Sequence, residues 1–314
     1  MVQYYLCPPI DEIRLAQELA PLVDSFGGTV PSVAHLIELT REHGLAAASM
    51  ALYEALRVAP QNSEFLSRLD AEPTDRTSTP AGAKVLVVPA LFYGHYPEVG
   101  GDAVLPIGIA RACGFEVETI PILSVGTVTE NARIIHDHLE REQAERVWLL
   151  TGSKGGADFR AYLQLYAGSA AINRIAGWIN ICGLVEGCDI ADFNVATPAR
   201  RLKFRALCRV LGTRFELLSE LSTTHEYWRE PLRPPPHMKV FNLSAIPLPS
   251  HIQKSLIKRY RAISDRGPND SMVACRRTVI DGGLTIPFLG YDHFFRGPNI
   301  APILYRFFNY LRRQ

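Results

Sequence analysis

Apolar positions over the first seventy residues recur at helical spacing: Ile13, Leu15, Leu19, Leu22 and Val23, then Val33, Leu36, Ile37, Leu39 and Leu45. No convincing strand interrupts them between about Asp11 and Asp70, so three or four short helices are predicted. From Glu72 to Lys84 the chain turns polar and rich in Pro and Thr, which marks a linker and a domain boundary near Ala81. Beyond it the period changes. Short segments at 85–88, 115–120, 147–150, 177–182, 238–246 and 283–289 read as buried strands. Helical patterns at 102–113, 128–142, 157–166, 251–263 and 300–311 lie between or after them. This alternation predicts an α/β protein with a doubly wound, mostly parallel sheet over residues 81–314 and a helical extension over residues 1–80. The polar and basic stretch of about 186–236 is too long for a simple connection and reads as an insertion. Ligands of such sheets gather at the carboxyl ends of the strands.

One of those ends carries candidate chemistry. Val147-Trp148-Leu149-Leu150 runs into Thr151-Gly152-Ser153-Lys154-Gly155-Gly156, and Phe159, Tyr162, Leu163 and Tyr166 then fall on one side of a helix. Strand, sharp turn and helix form the setting of a nucleophile elbow, where the serine needs small neighbours two before and two after; here they are Thr151 and Gly155. A phosphate-binding P-loop fits less well, because Lys154 precedes the glycine pair instead of following it. A strand-to-helix turn that merely contains serine is the remaining reading.

A serine hydroxyl needs an imidazole to take its proton and a carboxylate to orient that imidazole. In a nucleophile-elbow fold these follow the serine in the order acid, then histidine. His225, His237, His251 and His293 come after Ser153, and His293 is the best placed, in the loop Gly290-Tyr291-Asp292-His293 that ends the last strand. His225 and His237 lie in the insertion, where they could reach substrate. For the acid, Asp270 sits in the turn Gly267-Pro268-Asn269-Asp270-Ser271, with Asp265, Asp281 and Asp292 as competitors.

These segments together resemble bacterial lipases of the α/β-hydrolase superfamily. Leu150 to Asp158 is similar to their nucleophile elbow, Asn180-Ile181-Cys182-Gly183-Leu184-Val185-Glu186-Gly187 to the next strand and turn, Asn269-Asp270-Ser271-Met272-Val273 to their acid turn, and Tyr291-Asp292-His293 to their histidine loop. The likeness runs from about Lys84 to the carboxyl terminus. It implies Ser153 as nucleophile, Asp270 as orienting acid and His293 as base, with an oxyanion hole from the backbone N–H groups of Leu91 and Lys154. Pro89-Ala90 stands where those lipases carry His-Gly, and Thr151-Gly152 where they carry Gly-His; both change the pocket's shape and neither removes a backbone donor. The resemblance also makes the insertion a lid or cap.

Composition narrows the partners. Lys plus Arg number 33 against 32 for Asp plus Glu, a net charge of +1 that gives no reason to expect long-range attraction to nucleic acid or anionic membrane. The six cysteines show no C-x-x-C pair and no histidine at metal spacing, so neither a zinc site nor a disulfide framework is expected, and no cofactor motif is present. Without a signal-peptide pattern after Met1 and without an apolar run of spanning length, a cytoplasmic protein is expected. Gly44 to Leu69 resembles one tetratricopeptide-repeat unit, too few for a solenoid, so the extension is expected to cap the fold or mediate a homodimer. The expected activity is that of a serine hydrolase, cleaving or transferring an acyl group from a carboxylic ester or thioester through a serine acyl-enzyme. The alternatives are a thioesterase or cyclase on carrier-bound acyl chains, docked through the amino-terminal helices and the basic lid, and a catalytically silent binding protein of the same fold with residues 1–80 mediating assembly.

Overall fold

Val85 to Val88 and Val147 to Leu150 are almost fully buried, and successive residues point to opposite sides, so each strand contributes to two cores at once. The computed structural model describes residues 7–77, 79–95, 101–210, 212–295 and 299–314; the first six residues of the amino-terminal reading lie outside it. Among the described residues, β1 (Lys84–Val88), β2 (Glu116–Thr119), β3 (Val147–Gly152), β4 (Ile175–Ile181), β5 (Lys239–Ile246) and β6 (Leu284–Leu289) form one sheet in the order β2-β1-β3-β4-β5-β6. Every neighbouring pair is parallel. The chain steps one way from β1 to β2 and then returns to place β3 on the other side of β1. The order therefore reverses between β1 and β3, the point at which ligands of such sheets bind beyond the carboxyl ends of the strands.

On one face Leu86, Val88, Val147 and Leu149 pack with α6 (Val128–Arg141) and α7 (Lys154–Leu165) through Ile135, Leu139, Phe159 and Tyr162. On the other, Val85, Val87, Trp148 and Leu150 meet α4 (Pro60–Asp70), α5 (Val104–Ala112) and α12 (Ile300–Leu311) through Phe65, Ile109, Phe307 and Phe308. The doubly wound arrangement is thus present, and α12 begins and ends where the periodicity placed it.

The amino-terminal helices α1 (Glu12–Ser25), α2 (Val33–His43) and α3 (Leu45–Val58) precede α4. Leu36, Leu39, Leu52 and Leu56 pack with Ile246, Cys275 and Val279 of the sheet domain, and Phe65 of α4 meets Phe241 and Tyr310 with ring centroids 5.7 and 5.2 Å apart. The polar segment after α4 is tied down as well: Asn309 donates to the carbonyls of Pro73 and Asp75 at 2.9 and 3.0 Å, and Arg312 to Thr79 at 2.9 Å.

One predicted helix is largely absent. Within 251–263 only α11 (Ile257–Ala262) is α-helical, while His251 closes a single 3-10 turn. Ile252 and Leu256 are buried by tertiary packing, and their spacing imitates a helical face. Residues 186–236 contain α8 (Asp189–Val195), α9 (Pro198–Val210) and α10 (Phe215–Leu221). Among the described residues no helix is long and apolar enough to cross a membrane.

Candidate active site

The turn between β3 and α7 is held by close packing. A Cβ on Gly155 would lie 2.3 Å from the Val88 carbonyl oxygen and 2.8 Å from that of Pro89, and one on Gly156 would lie 2.8 Å from Gly183 Cα. The start of α7 therefore abuts the ends of β1 and β4. Thr151 is small for a different reason: its buried hydroxyl accepts from Trp178 Nε1 at 2.8 Å. Between them Ser153 is bent to φ 48° and ψ −116°, a sparsely populated conformation that costs about 1–3 kcal/mol. Its N–H donates to Ile181 at 3.0 Å and its carbonyl accepts from Leu184 at 2.9 Å, so β4 and the turn after it hold it in place.

Left-handed backbone recurs along this edge. Phe92 after β1, Ser153 after β3, Cys182 after β4, Ser271 after β5 and Phe295 after β6 all have φ between 44° and 86°. Five carboxyl-end loops each carry a non-glycine residue in that region, the clustering expected where geometry serves a site.

Ser153, Asp270 and His293 meet here. His293 Nε2 lies 2.8 Å from Ser153 Oγ, and Nδ1 lies 2.6 Å from Asp270 Oδ2. The second Asp270 oxygen accepts the N–H groups of Met272 and Val273 at 2.9 and 3.0 Å, and the Asp270 carbonyl accepts the His293 N–H at 3.0 Å. An ionised carboxylate only accepts, so the tautomer that satisfies this contact carries its proton on Nδ1 and leaves Nε2 as an acceptor facing Ser153. Asp270 is fully buried and His293 is 8% exposed.

The competitors lie elsewhere. Asp265 is exposed, and Asp281 pairs with Arg276. Asp292 Oδ1 accepts the Phe294 N–H and shapes the histidine loop. His237 bonds the Ile172 carbonyl at 3.2 Å, His251 lies 2.8 Å from Glu12, and His225 accepts the Tyr227 N–H.

Leu91 follows β1 and Lys154 opens α7 after β3, so both residues lie beyond the carboxyl ends of two neighbouring strands. Among the described residues the Leu91 N–H donates to no backbone carbonyl, while its neighbours Ala90 and Phe92 donate to Gly101 and Ser124. The N–H of Lys154, at the first position of a helix, has no partner within the helix.

Several residues escaped the sequence reading. The Lys154 ammonium is buried and pairs with Asp158 Oδ1 at 2.5 Å, while Asn131 of α6 donates to Asp158 Oδ2 at 2.8 Å. Burial raises the Asp158 carboxyl to about 6 against the opposing pull of Lys154. An i,i+4 Lys/Asp pair is a common surface pattern, so no sequence signal distinguished it. Arg160, 1% exposed, donates from α7 to the carbonyls of Val185, Tyr227 and Glu230 and stacks 5.1 Å from the Trp228 ring. Cys182 Sγ lies within 4.8 Å of ligand atoms of Asp270 and His293. Desolvation first, and then the Asp270 charge, push that thiol up from its ordinary value.

No protein-family model matches the chain, and no curated protein matches its sequence. Solved structures do resemble it. The metagenomic carboxyl esterase MGS0156 superposes with a TM-score of 0.57 at 16% identity, covering 94% of this chain and 99% of that one. The mature form of the Bacillus licheniformis lipase BlEst2 gives 0.53 at 18% identity, covering 71% and 90%. With the parallel strand order, the strained serine turn after β3 and the loops after β5 and β6, these likenesses show that the chain has the α/β-hydrolase fold.

Proposed function

We propose that the protein is a serine hydrolase that cleaves a small carboxylic ester or thioester through an acyl-enzyme on Ser153. The observation that carries this reading is the continuous hydrogen-bond chain from Ser153 through His293 to Asp270, at 2.8 and 2.6 Å. In the first half-reaction Ser153 Oγ attacks the acyl carbonyl carbon while His293 Nε2 takes the hydroxyl proton. The carbonyl oxygen becomes an oxyanion, to which the N–H groups of Leu91 and Lys154 would donate; one such donor contributes about 3–4 kcal/mol in a serine protease. Asp270 stays ionised and stabilises the imidazolium. His293 then returns its proton to the departing alkoxide or thiolate. Water attacks the acyl-enzyme by the same proton route and releases the acid and free Ser153.

Residues 81–314 are read as the catalytic domain, residues 1–80 as a helical extension and about 186–236 as its cap. The carboxyl esterase and lipase named above are consistent with ester chemistry. A p-nitrophenyl ester of a short acid tests the proposal: wild type is expected to turn it over and Ser153→Ala to lose all but background activity. A fluorophosphonate is expected to label wild type at Ser153 alone. Equal labelling of Ser153→Ala, or no labelling of folded wild type, would rule this nucleophile out.

A further inference from the structure

The insertion between β4 and β5 contains a cleft that the acyl chemistry leaves unused. It has a volume of about 490 Å³ and is bounded by Arg201 and Arg205 of α9, Phe215 and Ser219 of α10, and His225, Glu226 and Arg229 around a short 3-10 turn. Ligand-binding clefts usually span about 300–1,000 Å³, so the space suits a small molecule or a headgroup.

Its charge is lopsided. Glu226 is the one carboxylate on its wall, facing three guanidiniums and an imidazole. Over its 13 residues α9 holds Arg200, Arg201, Lys203, Arg205 and Arg209 with no acidic residue, in a chain whose net charge is +1. Two neighbouring arginines do have acidic partners: Arg214 pairs with Glu130, and Arg277 with Glu186 and Asp189. Among the described residues no carboxylate lies within ion-pair distance of Arg201, Arg205 or Arg229. Two of the three are nevertheless held in place. Arg201 Nε donates to the Val195 carbonyl at 2.6 Å, which leaves its terminal nitrogens for another acceptor, and the Arg205 guanidinium lies 4.7 Å from the centre of the Phe215 ring. His225 uses Nδ1 on the Tyr227 N–H and retains Nε2. Side chains already ordered lose less entropy on binding, and planar forks approaching from several sides suit a tetrahedral oxyanion better than a single carboxylate.

We propose that this cleft binds a phosphate-bearing group, carried by a soluble organic phosphate or by an anionic phospholipid headgroup. Leu202 and Val210, 72% and 83% exposed on the same helix, give the lipid source an apolar footing.

Binding is read without turnover, so the test stands apart from the Ser153 reading. Calorimetry with inorganic pyrophosphate probes the soluble source. Co-sedimentation with phosphatidylcholine vesicles, with and without phosphatidylglycerol, probes the headgroup. Wild type is expected to bind pyrophosphate, or to sediment only with the mixed vesicles, with an affinity that falls as salt rises. Arg229→Gln is expected to weaken that binding roughly tenfold, and Arg205→Gln with Arg229→Gln further, while Arg229→Lys restores part of it. The Arg229 side chain makes no hydrogen bond among the described residues, so the single variant should fold, as an unchanged unliganded melting curve would verify. Binding unaffected by both substitutions, succinate bound as tightly as pyrophosphate, or wild type that binds neither pyrophosphate nor mixed vesicles would overturn the proposal.

Discussion

His293 is held at both ring nitrogens, and the orientation of Asp270 is set by the two N–H groups on its other oxygen. Asp270→Asn keeps the shape but offers Nδ1 an amide that can donate, which favours the wrong tautomer. Ester turnover is expected to fall by about 10⁴ in kcat, read by steady-state kinetics, with little change in melting temperature. Lys154 and Asp158 answer to different physics. Either charge alone would be buried and uncompensated, so Lys154→Ala and Asp158→Ala are each expected to cost about 3–5 kcal/mol in denaturant unfolding, whereas Lys154→Met with Asp158→Leu should cost much less than the sum. The carboxyl titrates near 6 in the native state and near 3.8 when unfolded. Between those values the native state holds the extra proton. This group's contribution to stability is therefore fully present below about pH 4 and is lost as pH rises through about 6. Asp158→Asn should remove that component from the stability profile, and an unchanged slope over this interval would contradict the assignment.

At the scale of elements, α7 does two jobs. Its first turn closes against β1 and β4 through Gly155 and Gly156, which sets where Ser153 points. Gly155→Val would drive a side chain into the Val88 carbonyl, so loss of soluble folded protein is expected instead of a mild kinetic defect. One turn later, Arg160 gathers the carbonyls of Val185, Tyr227 and Glu230 and so fastens the segment between β4 and β5 to the helix that follows the Ser153 turn. Arg160→Met keeps much of the volume and leaves three carbonyls without this donor. Limited proteolysis should then cut within residues 186–236 much sooner than in wild type, while the rest of the chain remains protected.

Across the whole molecule, the amino-terminal helices are part of the core. Asn62 of α4 accepts the Thr285 N–H of β6 at 2.9 Å and donates to the Leu56 carbonyl, and Phe65 joins the aromatic cluster around Phe241 and Tyr310. Removing residues 1–75 would bare Ile246, Val279, Phe241 and Tyr310 together. The shortened chain is expected to aggregate or melt well below the full chain, measured by calorimetry. A truncated protein with unaltered melting would show that the extension is energetically separate.

The alternation of buried runs and amphipathic stretches was enough to read the parallel sheet, because strands covered on both faces are apolar at every position. The order of Ser153, Asp270 and His293 was likewise legible, since each lies in a loop at the carboxyl end of a strand. Local periodicity reports that a residue is buried, but not what it is buried against. For that reason 251–263 looked helical although Ile252 and Leu256 are buried outside α11, and a polar segment looked like a free linker although Asn309 and Arg312 bind it. A Lys/Asp pair four residues apart at Lys154 and Asp158, and a single Arg160 on the same helix, carry no local mark of burial. Only the packing of α6, α7 and the insertion decided that these three are buried, because partners of Asp158 and Arg160 come from distant segments whose approach no local pattern encodes.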